Sequence, residues 1–327
     1  MRDKESLRWI SERYFEQNGT HYQTLLTPPT PLQFSRLVHI SRPVLIKGVK
    51  IAEDLTKLWT NDYLIDRMGE RPISVAVTPN GRADAVTPYD GTHYFVEPLV
   101  EQMATSELLS SLSTAVSERS DIYYLQSQNG NVYRARSASL EEGPVSEFDS
   151  LKRDIPEEIT WCSEALGLPP DAVNLWVGDS RSVTSVHSDP YENIYCVIRG
   201  KKIFTLFPPS EGWLLEEREY PHATYTRSSP SSDLKILPSG KTVRWSSIPE
   251  PDIYPPSGTH PIHIEVGAGD AIYLPAGWWH HVRQSGPTVI ALNWWYDMEM
   301  SGMTWVMLSF LRGMHLEGDD NAEDDNL

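Results

Sequence analysis

The sequence predicts a mainly β protein with flanking helices, built around a jelly-roll or double-stranded β-helix. From about residue 173 onward, short runs of β-branched and aromatic residues alternate with turn residues, as in β-sandwiches and barrels. Helical spacing of apolar residues occurs before residue 120 and again over 298–316. Hydrophobic residues make up 39% of the 327, which is enough to bury a sizeable core.

The composition excludes several classes of protein. The 28 basic residues against 45 acidic ones give a net charge of −17, which disfavours nucleic-acid binding because that needs a broad basic surface. Cys162 and Cys196 are the only cysteines, so a disulfide scaffold and a four-cysteine zinc module are excluded. No apolar signal region opens the chain, and no apolar run reaches the roughly eighteen residues of a membrane span. We therefore expect no membrane association and a cytoplasmic location, with the nucleus as a second compartment.

Residues 1–120 are predicted to form an α/β region that packs on the β domain. Apolar residues at helical spacing predict three helices, over 3–17, 55–68 and 97–118. Alternating residues that end in glycine turns predict two strands, over 42–49 and 73–78. Between the first helix and the first strand, three prolines break the helical pattern and predict extended chain, at Pro28, Pro29 and Pro31.

Residues 121–297 are predicted to form the double-stranded β-helix itself. Its strands are expected over 121–126, 173–178, 183–187, 193–199, 203–207, 263–266, 271–274, 280–283 and 289–295. Residues 208–261 contain many of the 25 prolines and predict a loop-rich insertion. The apolar residues of 298–316 predict a C-terminal helix, and the acidic residues of 317–327 predict a disordered, solvated tail.

A histidine and an aspartate in one predicted strand give the strongest chemical signal. Alternate side chains of a strand share one face, so His187 and Asp189 both point into the barrel. A second histidine on a facing strand would complete a two-histidine, one-carboxylate triad, which binds ferrous iron and leaves coordination positions open. The candidate is His280. On its own, a His-x-Asp pair also occurs in surface strands with ordinary polar residues.

Four further polar residues are predicted to lie at strand spacing around the same pocket. They are Thr184, Asn193, Lys202 and Asn293. Together they supply a cation, a hydroxyl and two amides, which suit a dicarboxylate held at its far end by a metal. Lys202 taken alone would more often be a surface lysine.

The combined motif resembles that of the JmjC (jumonji-C) family of Fe(II)- and 2-oxoglutarate-dependent oxygenases. It consists of His187-x-Asp189, Lys202 and Pro275-x-x-Trp278-Trp279-His280. Segments outside this motif are similar to the small lysyl hydroxylases of the family, at 28–32, 74–86, 191–196 and 293–298. The resemblance extends from about residue 28 to 298, while the Pro-rich insertion and the acidic tail match less well.

The resemblance implies a cupin-like JmjC barrel whose iron is bound by His187, Asp189 and His280. His281 follows a ligand directly, so its side chain is expected to point off the inner face and not to bind the metal. The implied cofactors are Fe(II), 2-oxoglutarate and dioxygen. Such a centre couples oxidative decarboxylation of 2-oxoglutarate to hydroxylation of a C–H bond.

The resemblance also implies which residues hold the co-substrate. Five are expected to contact it: Tyr124, Thr184, Lys202, Asn193 and Asn293. Tyr124, Thr184 and Lys202 would bind the C5 carboxylate, and the two asparagines would lie near the metal-bound end. Tyr123 is the alternative to Tyr124, because neighbouring residues of a strand face opposite ways.

The implied activity is hydroxylation of a lysine in a protein substrate, with translation-associated GTP-binding proteins as expected targets. Three alternatives stay open: a JmjC histone lysine demethylase, a metal-dependent peptidase acting on basic protein tails, and a non-catalytic binding module. Demethylation would release formaldehyde, and a zinc peptidase would have no need of Lys202 as an anchor. Apolar residues on more than one face of 298–316, together with the resemblance, predict a homodimer through this helix.

Overall fold

The computed structural model describes residues 2–113, 121–127, 130–134, 146–229 and 232–314. The α-helices within these residues are α1 (Arg2–Asn18), α2 (Pro31–Ile40), α3 (Lys50–Leu58), α4 (Asn61–Met68), α5 (Thr105–Ser113), α6 (Thr160–Leu166) and α7 (Gly302–Met314). The N-terminal strands are β1 (Gln23–Leu25), β2 (Val44–Ile46), β3 (Pro72–Thr78), β4 (Arg82–Ala83), β5 (Ala85–Tyr89), β6 (Thr92–Glu97), β7 (Leu99–Ala104), β8 (Ile122–Tyr124) and β9 (Tyr133–Arg134). The later strands are β10 (Ala172–Gly178), β11 (Val183–Ser188), β12 (Tyr191–Phe207), β13 (Glu217–Thr226), β14 (Lys235–Ser246), β15 (Ile262–Gly267), β16 (Ala271–Leu274) and β17 (Trp279–Asp297).

Two long antiparallel strands, β12 and β17, organise the β domain. Their register shifts on both sides of Arg199, and the next residue, Gly200, has a positive φ of 69° that suits glycine and marks a bend. On one side of the bend they pair with β16 and β10, and on the other side with β15 and β11. Each long strand therefore passes from one layer of sheet into a second, facing layer. This arrangement confirms the predicted mainly β fold with a double-stranded β-helix, although the described strands do not close into a continuous barrel.

The inner and outer faces of this sheet have different neighbours. Between the two layers lies an apolar cluster that includes Trp176, Tyr195 and Phe204. The outer face of the β10–β17–β12 layer packs against helices of the N-terminal region through residues such as Phe34 and Trp294. Because side chains alternate along a strand, the same strands also place polar groups on the inner face.

The helix predictions for the N-terminal region are confirmed for α1 and corrected elsewhere. The continuous helix expected over 55–68 is wrong, since α3 and α4 are separated at Trp59 and Thr60, where the Thr60 hydroxyl caps α4 by accepting from the Tyr63 N–H. The helix expected over 97–118 is wrong at its start, where β7 pairs with β3; its end, 114–118, lies outside the described residues. Pro31 does not prolong the extended chain but opens α2, because proline is well suited to a first helical position behind the Thr30 cap.

The loop-rich stretch expected at 208–261 is also corrected. It contains the antiparallel hairpin β13–β14, and β13 pairs in parallel with β6 to form a four-stranded sheet. Pro221 lies where the β13–β14 register shifts, so it removes no regular ladder bond. Prolines at such positions look like loop signals in the sequence although the chain is extended.

At the C-terminal end, β17 continues to Asp297 and α7 begins at Gly302, later than the predicted start at 298. Glu299 and Met300 both have positive φ, so the chain turns there before the helix. Residues 315–316 and the acidic tail 317–327 lie outside the described residues. No helix in the described part of the chain is long and apolar enough to span a membrane. The division into domains at 120 and 297 stays a prediction.

Candidate metal centre

The structure brings His187, Asp189 and His280 together at one end of the interior. Candidate ligand atoms of the three side chains all lie within 4.8 Å of one another. His187 on β11 stands directly opposite His280 on β17, and the Nε2 atoms of both histidines are 3.7 Å from Asp189 Oδ2. Asp189 follows the last residue of β11, so its carboxylate reaches back between the two rings.

Both imidazole rings are oriented by backbone carbonyls. His187 Nδ1 lies 2.8 Å from the Ser185 carbonyl oxygen, and His280 Nδ1 lies 3.0 Å from the Trp278 carbonyl oxygen. A proton on each Nδ1 satisfies these contacts and leaves the Nε2 lone pairs directed at the shared centre. This is the tautomer that metal-ligating histidines use.

The charges of the triad favour binding of a cation. Burial lowers the pKa of His280 to about 4, and the neighbouring His187 adds to this effect, so the ring is neutral at physiological pH. Burial alone would raise the pKa of Asp189, but the two imidazoles outweigh it and lower that pKa. Burial also acts to lower the pKa of His187, yet Asp189 and the Ser185 carbonyl raise it overall. Metal binding at His187 would therefore compete with protonation of its ring.

The centre is held in place by neighbours from distant parts of the chain. Trp245 of β14 stacks on His187, with ring centroids 5.5 Å apart, and its Nε1 donates to the Ser185 hydroxyl at 2.9 Å. The Gly277 N–H donates to the Asp189 carbonyl at 2.8 Å. Gly277 has a φ of 79°, and Leu308 of α7 fills the space that a Cβ would need. The hairpin and the C-terminal helix therefore both support the ligand positions.

Lys202 lies on the inner face of β12, deeper in the same interior, and is fully buried. Its Nζ donates to the Tyr124 hydroxyl at 3.0 Å and lies 5.1 Å from the Tyr124 ring centroid. No carboxylate of the described residues lies within the 4.0 Å of an ion pair. Burial lowers the pKa of Lys202 to about 7 for this reason. An isolated buried cation of this kind is a ready partner for an anion.

The other residues expected around the co-substrate also converge at this point. Thr184 hydrogen-bonds to the Tyr124 hydroxyl, so the structure joins Tyr124, Thr184 and Lys202 in one polar cluster. Tyr123 instead faces the opposite side, near Arg227 and Asp121. Tyr124, not Tyr123, is therefore the tyrosine that enters the interior.

Asn193 and Asn293 are buried and directly bonded to each other. Asn293 Nδ2 donates to Asn193 Oδ1 at 3.1 Å, and Asn293 Oδ1 accepts from Trp176 Nε1 at 2.8 Å and from Asn174 Nδ2 at 3.3 Å. These three hydrogen bonds fix the amide orientation of Asn193 and Asn293. The sequence did not indicate Asn174, although its alternation with Trp176 in β10 would have placed both on the inner face.

His281 is oriented away from the triad, as expected. It is fully buried on the outer face, where its Nδ1 lies 3.7 Å from Asp252 Oδ1. Two residues that the sequence did not indicate line the polar end of the pocket: Gln284, the cross-strand partner of Lys202, and Gly178. A Cβ on Gly178 would come within 2.8 Å of the Tyr124 ring, so the ring's position depends on this glycine.

The donor set fits a ferrous ion. It offers two imidazole nitrogens and one carboxylate oxygen, without thiolates, in a partly buried position. A facial set of three such ligands leaves sites for a chelating co-substrate and a gas molecule. The isolated cation at Lys202 is available for the distant carboxylate of that co-substrate.

Comparison with known proteins agrees with this fold and donor set. The chain belongs to the family described as the cupin-like domain, whose match covers residues 29–302. Within it the chain is a member of the JmjC group, as its similarity to curated JmjC proteins shows.

Three relatives are similar over most of their length. The chain is 34% identical to lysine-specific demethylase JMJ32 of Arabidopsis thaliana, with 84% of this chain and 81% of that protein covered. It is 35% identical to the human bifunctional peptidase and (3S)-lysyl hydroxylase JMJD7, with 79% and 78% covered. It is 32% identical to JmjC domain-containing protein E of Dictyostelium discoideum, with 78% and 76% covered. JmjC proteins generally depend on Fe(II) and 2-oxoglutarate, and the resemblance to this family is confirmed.

Proposed function

We propose that this protein is a Fe(II)- and 2-oxoglutarate-dependent hydroxylase of lysine in a protein substrate. The observation that carries the proposal is Lys202, a fully buried cation with no anionic partner among the described residues, in the same interior as the triad. A metal site alone would serve many chemistries, including hydrolysis. A metal site with an isolated buried cation deeper in the same interior suits a dicarboxylate that binds the metal at one end and Lys202 at the other.

The residues of the site have distinct roles. His187, Asp189 and His280 would hold the ferrous ion, which when bound supplies dioxygen activation coupled to decarboxylation of 2-oxoglutarate. Lys202 and the Tyr124 and Thr184 hydroxyls would bind the C5 carboxylate with charge-assisted hydrogen bonds. Asn193 and Asn293, fixed by their mutual bond, would orient the end of the co-substrate nearest the metal. The aromatic side chains around them exclude water and hold the substrate C–H bond in position.

The proposed substrate is a lysine side chain on a translation-associated GTP-binding protein, hydroxylated at carbon. The printed name of the human relative supports lysyl hydroxylation. The net charge of −17 favours approach of a basic, lysine-bearing segment. A cytoplasmic location, with the nucleus as a second compartment, belongs to the same proposal.

The test is consumption of 2-oxoglutarate by the purified protein, with intact-mass measurement of candidate substrates. Turnover is expected only with Fe(II) and dioxygen, and His187→Ala should abolish it because a ligand is lost. The substrate should gain one oxygen atom in a 2-oxoglutarate-dependent manner. Undiminished turnover in the His187 variant, or turnover after complete removal of iron, would contradict the proposal.

The same measurement separates the alternatives. The names of two relatives favour a demethylase and a peptidase as second candidates. A demethylase would release formaldehyde and lower the mass of a methylated lysine peptide. A peptidase would shorten the substrate and would not need 2-oxoglutarate.

We also propose a homodimer that forms through α7. Several large apolar side chains of this helix are exposed, among them Met303, Val306 and Phe310. Leu311 is buried and Leu308 packs at Gly277, so the opposite face of α7 already covers the β domain. A second copy of the helix is the occupant proposed for the exposed face.

A further inference from the structure

Next to the triad, four residues form a second polar constellation, which we call the rim site: Asp171, Tyr191, Trp295 and Asp297. Tyr191 opens β12 and is paired with Asp297, the last residue of β17. Trp295 is paired with Asn193, whose side chain lies on the inner face. Because side chains alternate along a strand, Tyr191, Trp295 and Asp297 lie on that same face. Asp171 joins them because its N–H donates to the Trp295 carbonyl at 2.7 Å. Tyr191 also lies within electrostatic reach of Asp189.

The indole N–H of Trp295 has no hydrogen-bond acceptor among the described residues. The residue is only 5% exposed, and its Nε1 is buried without a hydrogen-bond partner among the described residues. Tyr191 stacks flat on it, with ring centroids 5.0 Å apart and an interplanar angle of 4°, so the indole is fixed in place. A buried donor without an acceptor costs free energy unless a ligand supplies one.

The carboxylates of Asp171 and Asp297 have no cationic partner among the described residues. Asp171 and Asp297 are partly buried. Burial, and after it the charge of Asp297, raises the pKa of Asp171. Asp297 Oδ1 is buried without a hydrogen-bond partner, and no cationic group of the described residues pairs with either carboxylate. The rim site therefore combines an N–H donor without an acceptor and two carboxylates without a cation, and its Tyr191 interacts electrostatically with both carboxylates and with Asp189 of the triad.

We propose that the rim site binds a peptide residue with an ammonium side chain, with Trp295 Nε1 donating to a backbone carbonyl and Asp171 and Asp297 receiving the ammonium. A lysine residue carries both groups, whereas a neutral side chain of the same length would satisfy only the indole. This inference rests on the proposed function, because it identifies the residues that select lysine for the adjacent metal centre. Aromatic rings beside carboxylates strengthen the preference for a cation.

The experiment measures binding directly in full-length protein loaded with zinc in place of iron. The probes are Nα-acetyl-lysine N-methylamide and its norleucine counterpart, which lacks only the ammonium. Titrations follow the Trp295 indole N–H signal by NMR, and the signal is identified by its loss in Trp295→Phe. We expect the lysine probe to bind about tenfold more tightly than the norleucine probe.

The variants assign the preference to the carboxylates. Asp297→Asn and Asp171→Asn should each weaken lysine binding about fivefold and leave norleucine binding unchanged. Asp297→Glu should retain the preference. The matched control is Asp233→Asn, which removes the same charge from a position outside the rim site and should change nothing. Thermal unfolding of each variant shows whether the fold persists.

Equal affinity for the two probes, or an Asp297→Asn variant that is folded and keeps the full preference for lysine, would overturn the inference. Consumption of 2-oxoglutarate in the absence of substrate tests the proposed oxygenase activity separately from the rim site. Consumption without lysine preference would refute the rim site alone. Lysine preference without consumption would refute the oxygenase and leave the rim site standing.

Discussion

Replacing Lys202 by methionine should make the protein more stable and, at the same time, unable to use its co-substrate efficiently. Lys202 is fully buried with one neutral hydrogen bond, to the Tyr124 hydroxyl. Its pKa falls from 10.5 to about 7 through burial. At about 1.4 kcal/mol for each pKa unit, this difference corresponds to roughly 5 kcal/mol against the charged form.

Methionine retains much of the lysine stem and removes the ammonium that must be desolvated. Repacking and the loss of the Tyr124 bond offset part of the gain, so we expect the free energy of unfolding to rise by about 1–3 kcal/mol without ligands. The loss of a charge-assisted bond to a carboxylate, at about 1.5–3 kcal/mol, should raise the KM for 2-oxoglutarate about 10- to 100-fold.

Urea unfolding without metal or co-substrate measures the first effect, and 2-oxoglutarate consumption measures the second. Lys201→Met is the matched control, because Lys201 is half-exposed and pairs at the surface with Glu265 at 2.7 Å. Its change in stability should stay within about 0.5 kcal/mol, and its KM should not change. A Lys202→Met protein that is less stable than wild type and keeps the wild-type KM would refute the reasoning.

Two further predictions concern pH and assembly. Because the anion needs Lys202 protonated, the KM for 2-oxoglutarate should be lowest below pH 7 and rise as the pH passes about 7; a wild-type profile as flat as that of Lys202→Met would contradict this. Val306→Arg and Phe310→Arg, on the exposed face of α7, should halve the particle mass in light scattering at micromolar concentration without shifting thermal unfolding. A wild-type protein that scatters as a 37.1 kDa monomer would rule out the dimer.

Strand alternation was enough to predict most of the inner face. It placed His187 and Asp189 on one face, as the structure does. Alternation alone did not decide between Tyr124 and Tyr123, because it does not show which face of β8 is turned inward. The rule has period two, so a single unknown in register reverses every assignment along a strand. For Asn174, alternation with Trp176 indicates the inner face, but its partner Asn293 lies far away in the chain and cannot be identified from the local sequence.

Proline and helical spacing misled where tertiary pairing decided the outcome. The hairpin β13–β14 tolerates Pro221 because the ladder is irregular there, and a local pattern cannot show where a ladder is irregular. Residues 99–104 have apolar spacing compatible with a helix, yet they pair with β3 as a strand. Short apolar runs of this kind are ambiguous until a neighbouring strand edge is present.

The pairing of β12 with β17 determines which parts of the site stay together during local unfolding. One ladder carries Lys202 opposite Gln284 near its middle, Phe207 opposite Trp279 at one end beside the candidate ligand His280, and Asn193 opposite Trp295 in the other layer. Amides in the centre of such a buried ladder exchange with solvent only on global opening, whereas peripheral elements open separately. Lys202, the proposed anchor of the co-substrate, and His280, the candidate metal ligand on β17, therefore belong to one cooperative unit, which keeps their spacing when the surrounding loops and the C-terminal helix open.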